Sequence, residues 1–164
     1  MAGEEATVSL DEAVAAAIGN RSGAIWNMGL SVEQQLCRKA WARGSPTLLA
    51  RMVDNIVDNA VNHNQNGGWL QAQTSSDGAF VRLTVENGGA VIEEGKVNEL
   101  ARPFRRLGAE RTGSERGSGL GLSIVRSIAE AHGGALQLQA RDGGGLKVVI
   151  TLPLAKASTV GTSA

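Results

Sequence analysis

The chain has 164 residues, 16 basic and 16 acidic side chains, a single cysteine, 22 glycines, three tryptophans, two phenylalanines and no tyrosine. That length suits one domain, and a formal net charge of zero removes the clustered basic excess expected of a protein that lives on nucleic-acid phosphates. Cys37 alone allows neither an intrachain disulfide nor a cysteine-based zinc site; no apolar run approaches the roughly 18 to 20 residues of a membrane span, and the acidic opening Met1 to Glu5 is unlike a secretory signal, so a soluble cytoplasmic chain is expected.

In chain order, residues 1–8 read as a linker and residues 9–18 as a helix, with Ser9 as N-cap, Asp11 and Glu12 in the first turn and Gly19-Asn20 as the stop. Residues 30–43 alternate only partly, and one or two strands are expected there. Ser45-Pro46 then supplies an N-cap and a proline at the first helical position. Leu48, Leu49, Met52, Val53, Ile56, Val57, Ala60 and Val61 recur at spacings of three and four, which predicts a strong amphipathic helix. Beyond Asn66-Gly67-Gly68, residues 69–74 and 80–86 predict a hairpin turning at Ser75-Ser76-Asp77-Gly78, with Val81, Leu83 and Val85 on one face.

Residues 87–119 are glycine-rich and charged, with a short helix expected over 93–100 and a mobile loop over 108–117. Residues 120–131 predict a second strong helix ended by His132-Gly133-Gly134, where His132 reads as a basic group favoured by the helix dipole. Residues 135–140 and 146–153 predict a last hairpin around Asp142-Gly143-Gly144-Gly145, and residues 156–164 a disordered tail. A single domain over residues 9–155 follows. Three helices and about five strands, joined by hairpins in place of strict alternation, predict an α+β two-layer sandwich.

Asn55 and Asn59 lie four apart on the 45–61 helix and share a face, beside Asp54, Asp58, Asn62 and His63. Such a surface is either a solvated helix face or a working one. Asparagines at 55, 59, 62 and 64 cost helicity that glutamate or lysine would not, which favours work for the amides. Gly117-Ser118-Gly119-Leu120-Gly121-Leu122 opens a helix, where unhindered backbone N–H groups and a positive helix end suit an anion. It lacks the third glycine of a dinucleotide fingerprint, a preceding strand, and the lysine and hydroxyl of a P-loop, so neither of those folds is expected. At Glu86-Asn87-Gly88-Gly89 a strand ends in an amide and paired glycines, which by itself is a turn.

Taken together, Asp54 to Ala60, Asn87 to Gly89, Arg102-Pro103-Phe104-Arg105-Arg106 and Gly117 to Leu122 resemble the N box, first glycine box, phenylalanine box and second glycine box of the catalytic ATP-binding domain of bacterial sensor histidine kinases. This family belongs to the superfamily that also holds gyrase-type and Hsp90-type ATPases. The resemblance runs over residues 7–155, and its details look most like sensor kinases of GC-rich bacteria, the vancomycin-resistance sensor among them. It implies a Bergerat-type fold, a mixed and mostly antiparallel sheet of about five strands packed on three helices.

Carried over residue by residue, the resemblance implies that Asn59 ligates magnesium and that Asn55 stands where gyrase-type hydrolases carry a water-activating glutamate. An amide cannot act as a general base, so the pair points to phosphoryl transfer and away from hydrolysis. His63 falls where the family often packs an aromatic ring on adenine, and Asn62 where a lysine or arginine often reaches the phosphates. Asn87 matches the adenine-reading aspartate and offers a neutral hydrogen bond, roughly half as strong as a charge-assisted one; Gly89 and Ile92 join it as nucleotide-binding positions. Phosphate charge is left to Arg111 and Arg116, assisted by Arg105 or Arg106, on a lid between Phe104 and Gly117 whose hinge Phe104 anchors. Gly117, Gly119, Leu120, Gly121 and Leu122 complete the implied nucleotide contacts.

ATP and magnesium are thus the implied cofactors. The implied reaction donates the γ-phosphoryl group to a histidine on a separate dimerisation domain of a parent sensor kinase, for relay to a response regulator. In the family's acceptor motif an acid follows the histidine, which neither His63-Asn64 nor His132-Gly133 satisfies. The chain therefore reads as an excised catalytic domain, monomeric by itself, from a homodimeric inner-membrane parent. Three alternatives stay open: a hydrolytic ATPase of the same superfamily, a serine kinase of the anti-sigma-factor type, and a degenerate domain that binds a partner and no nucleotide, which Asn62, Asn87, Ala90 and Val91 would suit.

Overall fold

The computed structural model describes residues 6–101 and 120–155. Its elements run β1 (Ala6–Ser9), α1 (Leu10–Gly19), α2 (Ser22–Met28), β2 (Ser31–Gln35), β3 (Trp41–Gly44), α3 (Pro46–Asn62), β4 (Trp69–Ser76), β5 (Phe80–Asn87), a 3-10 helix (Glu94–Ala101), α4 (Leu120–Ala131), β6 (Ala135–Ala140) and β7 (Leu146–Pro153). A five-stranded sheet has the order β2-β4-β5-β7-β6, with β2 parallel to β4 and every other pairing antiparallel. Helix α3 packs between α1 and α4, and this helical layer covers the sheet. The α+β two-layer sandwich expected from the pattern of elements is the fold observed.

Helix α3 forms where capping and periodicity agree. Ser45 Oγ accepts the Leu48 N–H at 3.1 Å, Pro46 presets the first turn, and Leu49, Met52, Val53, Ile56, Val57, Ala60 and Val61 are buried. Leu48, expected on the same apolar face, is 40% exposed. On β5, Val81, Leu83, Val85 and Asn87 share the buried face, so the period of two that builds the core carries straight on to a polar side chain. Buried Asp11 fastens α1 to the sheet, accepting from the Thr74 hydroxyl at 2.5 Å and from the Ala40 N–H at 3.3 Å.

The strands expected over residues 30–43 are β2 and β3, the latter ending at Gly44, and they lie in different sheets. Three features differ from expectation. Residues 6–8, read as linker, form β1, which pairs antiparallel with β3 in a separate two-stranded sheet. Helix α2 was not anticipated: its seven residues bury no side chain, and Gly29 closes it at φ 68°. His132 is no cation on a dipole, because its Nε2 accepts the Ser45 N–H at 3.2 Å while Nδ1 lies 2.8 Å from the Ile128 carbonyl. That pair of bonds needs the neutral ring, Nδ1–H donating and Nε2 accepting. The expected lid and tail lie outside the described residues. Among those described, no helix is long and apolar enough to cross a membrane.

Candidate functional site

Asn55, Asn59, Asn62 and Asn64, three on α3 and one just past its C-cap, divide into two pairs. Asn62 Nδ2 donates to Asp58 at 2.9 Å, and Asn64 Nδ2 donates to the carbonyls of Ala60 at 3.1 Å and Trp69 at 2.8 Å, closing the helix into β4. Asn59 is 6% exposed, yet no hydrogen bond reaches its carboxamide among the described residues. Asn55 Nδ2 is buried with no hydrogen-bond partner among the described residues. Leaving a buried donor unmet costs about 1–3 kcal/mol, so the Asn55 amide stands ready for a group that the described residues do not supply, with the Asn59 carboxamide one helical turn further along α3.

The acids beside them, Asp54 and Asp58, are engaged elsewhere. Arg21, at the α1–α2 junction, donates Nη1 and Nη2 to Asp54 at 2.7 and 2.9 Å and Nε to Asp58 at 3.2 Å. Its pKa is held above the ordinary arginine value, chiefly by the hydrogen bond to Asp54 and against the opposing effect of burial. Asn62, through Asp58, belongs to this clamp. Sequence reasoning missed Arg21 because its partners lie 33 and 37 residues away, a distance no periodicity reports.

At the end of β5, Asn87 is 2% exposed and its Nδ2 donates to the Gly88 carbonyl at 2.6 Å. Turning the amide over would set two acceptors against each other, so the Gly88 carbonyl assigns Nδ2 as the donor and leaves Oδ1 as the acceptor atom. Gly88 N–H in turn donates to the Trp69 carbonyl at 3.2 Å. A Cβ at Gly89 would stand 2.7 Å from the His63 carbonyl, which brings the loop after β5 against the C-cap of α3. The glycine pair after Asn87 thus lies against the end of α3, where the His63 N–H donates to the Asn59 carbonyl at 3.0 Å. The His63 side chain is exposed, and Ile92 packs partly buried against the core.

Helix α4 begins at Leu120, with open space where a Gly121 Cβ would lie, while Leu122 anchors its first turn in the core. Phe104, Arg105, Arg106, Arg111, Arg116, Gly117 and Gly119 lie outside the described residues. No cluster of three or more histidine, cysteine or acidic side chains is placed to hold a metal among the described residues. Magnesium bound with a triphosphate keeps waters and phosphate oxygens and needs as little as one protein oxygen. The unpartnered Asn59 carboxamide fits that requirement.

Residues 44–156 match the family of histidine kinase-, DNA gyrase B- and HSP90-like ATPases. The chain is 47% identical over 116 residues to the sensor protein CutS of Streptomyces coelicolor, covering 70% of this chain and 28% of that protein. It is 33% identical over 115 residues to the sensor histidine kinase CusS of Escherichia coli, covering 70% of this chain and 24% of that one. The chain thus spans about a quarter of the length of these relatives. In fold, it resembles the catalytic domain of histidine kinase ThkA with a TM-score of 0.80, 24% identity and coverage of 92% and 96% of the two chains. It also matches ThkA in complex with the response regulator TrrA, with a TM-score of 0.75, 22% identity and coverage of 92% and 42%. Matched over most of its described residues, the chain belongs to the family of histidine kinase-, DNA gyrase B- and HSP90-like ATPases.

Proposed function

We propose that the chain binds Mg-ATP and donates the γ-phosphoryl group to a histidine on a separate dimerisation domain of a parent sensor kinase, for relay to a response-regulator aspartate. The observation that carries this reading is the buried, unpartnered Nδ2 of Asn55, one turn from the buried Asn59 on the same face of α3. The kinship to CutS and CusS supports a sensor kinase, and the ThkA complex with TrrA supports the relay.

Asn59 Oδ1 holds the magnesium, which when bound offsets charge on the phosphate oxygens. Asn55 donates its buried Nδ2 to an oxygen of the transferred group, Asn87 Oδ1 accepts from the exocyclic amine of adenine, and the N-terminal turn of α4 offers N–H groups to the phosphates. Arg111 and Arg116, two of the cations between Phe104 and Gly117 in the sequence, are the proposed source of further positive charge for the phosphates. In the transfer, the bond from the γ-phosphorus to the bridging oxygen breaks and ADP leaves, while the acceptor imidazole nitrogen forms the new bond to phosphorus. The imidazole proton passes to the acid that follows the histidine in the acceptor motif, since neither amide of α3 can take it.

The test mixes this chain, Mg-ATP and the parent's dimerisation domain. Acid-labile phosphohistidine is expected on that domain, and Asn55→Ala should slow its appearance by about 100-fold while nucleotide still binds. Steady ATP hydrolysis by the chain alone, abolished in Asn59→Ala, would instead make it a hydrolytic ATPase. Acid-stable phosphoserine on a partner would make it a serine kinase.

A further inference from the structure

The turn between β6 and β7 is built to lie against the loop that follows Asn87. Gly143, Gly144 and Gly145 all have positive φ, at 86°, 118° and 100°. Gly145 N–H donates to the Ala90 carbonyl at 3.0 Å, and a Cβ at Gly144 or Gly145 would collide with the carbonyls of Gly89 and Asn87. Backbone therefore packs directly on backbone, which only glycine permits here.

One side chain ties this turn to what surrounds Asn87. Arg141 Nε donates to Glu86 Oε1 at 3.0 Å, its Nη1 donates to the Gly144 carbonyl at 3.2 Å, and its guanidinium carbon sits 4.7 Å from the centroid of the Trp69 ring. Trp69 lies against the other side of the loop, where a Cβ at Gly88 would come 2.7 Å from its Nε1. Arg141 so holds the residue before Asn87, the ring beneath the residue after it, and the turn stacked on its carbonyl.

We infer that Arg141 is a positioning residue for purine recognition, clamping the 141–145 turn onto the 87–90 loop so that the Asn87 carboxamide keeps its oxygen toward the base. Selectivity for a 6-amino over a 6-oxo purine then depends on Arg141 as well as on Asn87. This rests on the reading of Asn87 as the residue that contacts the base. Charge alone does not serve: Lys147 stands opposite Glu86 on β7, so a cation remains beside that carboxylate without Arg141. The planar fork of arginine is needed to stack on Trp69 and reach Glu86 and Gly144 together.

The test measures Kd for Mg-ATP and Mg-ITP by calorimetry on the full chain and its Arg141→Ala, Arg141→Lys and Asn87→Ala variants, with melting temperatures alongside. The wild-type chain is expected to prefer ATP, and both Arg141 variants should narrow the ITP-to-ATP ratio by about threefold to tenfold. A merely structural role would weaken both nucleotides equally and leave the ratio unchanged. That result, with the ratio collapsing in Asn87→Ala, overturns the role of Arg141 and keeps the base-reading role of Asn87. A ratio unmoved in Asn87→Ala overturns both. Arg141→Lys, the milder change, provides the comparison should the alanine variant fail to fold.

Discussion

Asn55 and Asn59 were readable in the sequence because four-residue spacing on a strongly periodic helix guarantees a shared face. The roles of the residues between and after them were not. Asp54, Asp58 and Asn62 belong to a clamp on Arg21, and Asn64 to the end of the helix, through partners that only the tertiary fold brings near. Arg21→Ala is expected to lower unfolding free energy in urea by about 1–2 kcal/mol, less than for a fully buried pair because both acids are partly solvated. The same substitution should leave the two free amides of α3 chemically intact. Loss of Mg-ATP binding in Arg21→Ala, with stability unchanged, would place Arg21 in the site itself. Asn87 was readable as the end of an alternating strand, but the orientation of its amide, set by the Gly88 carbonyl, was not.

At the scale of elements, strong caps and long periodic runs were readable, whereas short elements made by context were not. Both expected N-caps, Ser9 and Ser45, accept the N–H three residues on. Helix α2 has no such side-chain cap and no fully buried residue, so its sequence offers only Gly29 as a stop and the partly buried pair Ile25 and Met28. His132 joins the end of α4 to the start of α3 as a hydrogen-bond acceptor, which separates it from a dipole-stabilising cation by experiment. His132→Lys should destabilise about as much as His132→Ala, by roughly 1–3 kcal/mol in urea unfolding, because either leaves the Ser45 N–H without its acceptor. A lysine that restored stability would favour the dipole role. In the β4–β5 turn, Asp77 accepts the N–H groups of Ala79 and Phe80, which hold its pKa below the ordinary carboxylate value. A depressed folded pKa stabilises above the unfolded value and is lost as pH falls through the folded one. Acid-side melting temperatures should therefore fall less steeply in Asp77→Asn than in the wild-type chain.

For the whole molecule, the α+β sandwich followed from the order of strong helices and hairpins, while the sheet order did not. The parallel pairing of β2 with β4 and the small β1–β3 sheet are long-range choices carried by contacts such as Asp11 with Thr74. The chain spans 28% of the length of CutS. Under the proposed function, the step that this chain performs by itself is nucleotide binding, through magnesium at Asn59 and through the base at Asn87. The most direct measurement is a calorimetric titration with ATP, with and without magnesium, on the wild-type chain, Asn59→Ala and Asn87→Ala. Binding that requires magnesium and weakens in both variants is the expected result; binding indifferent to magnesium and unchanged in Asn59→Ala, or no binding at millimolar ATP, would contradict it.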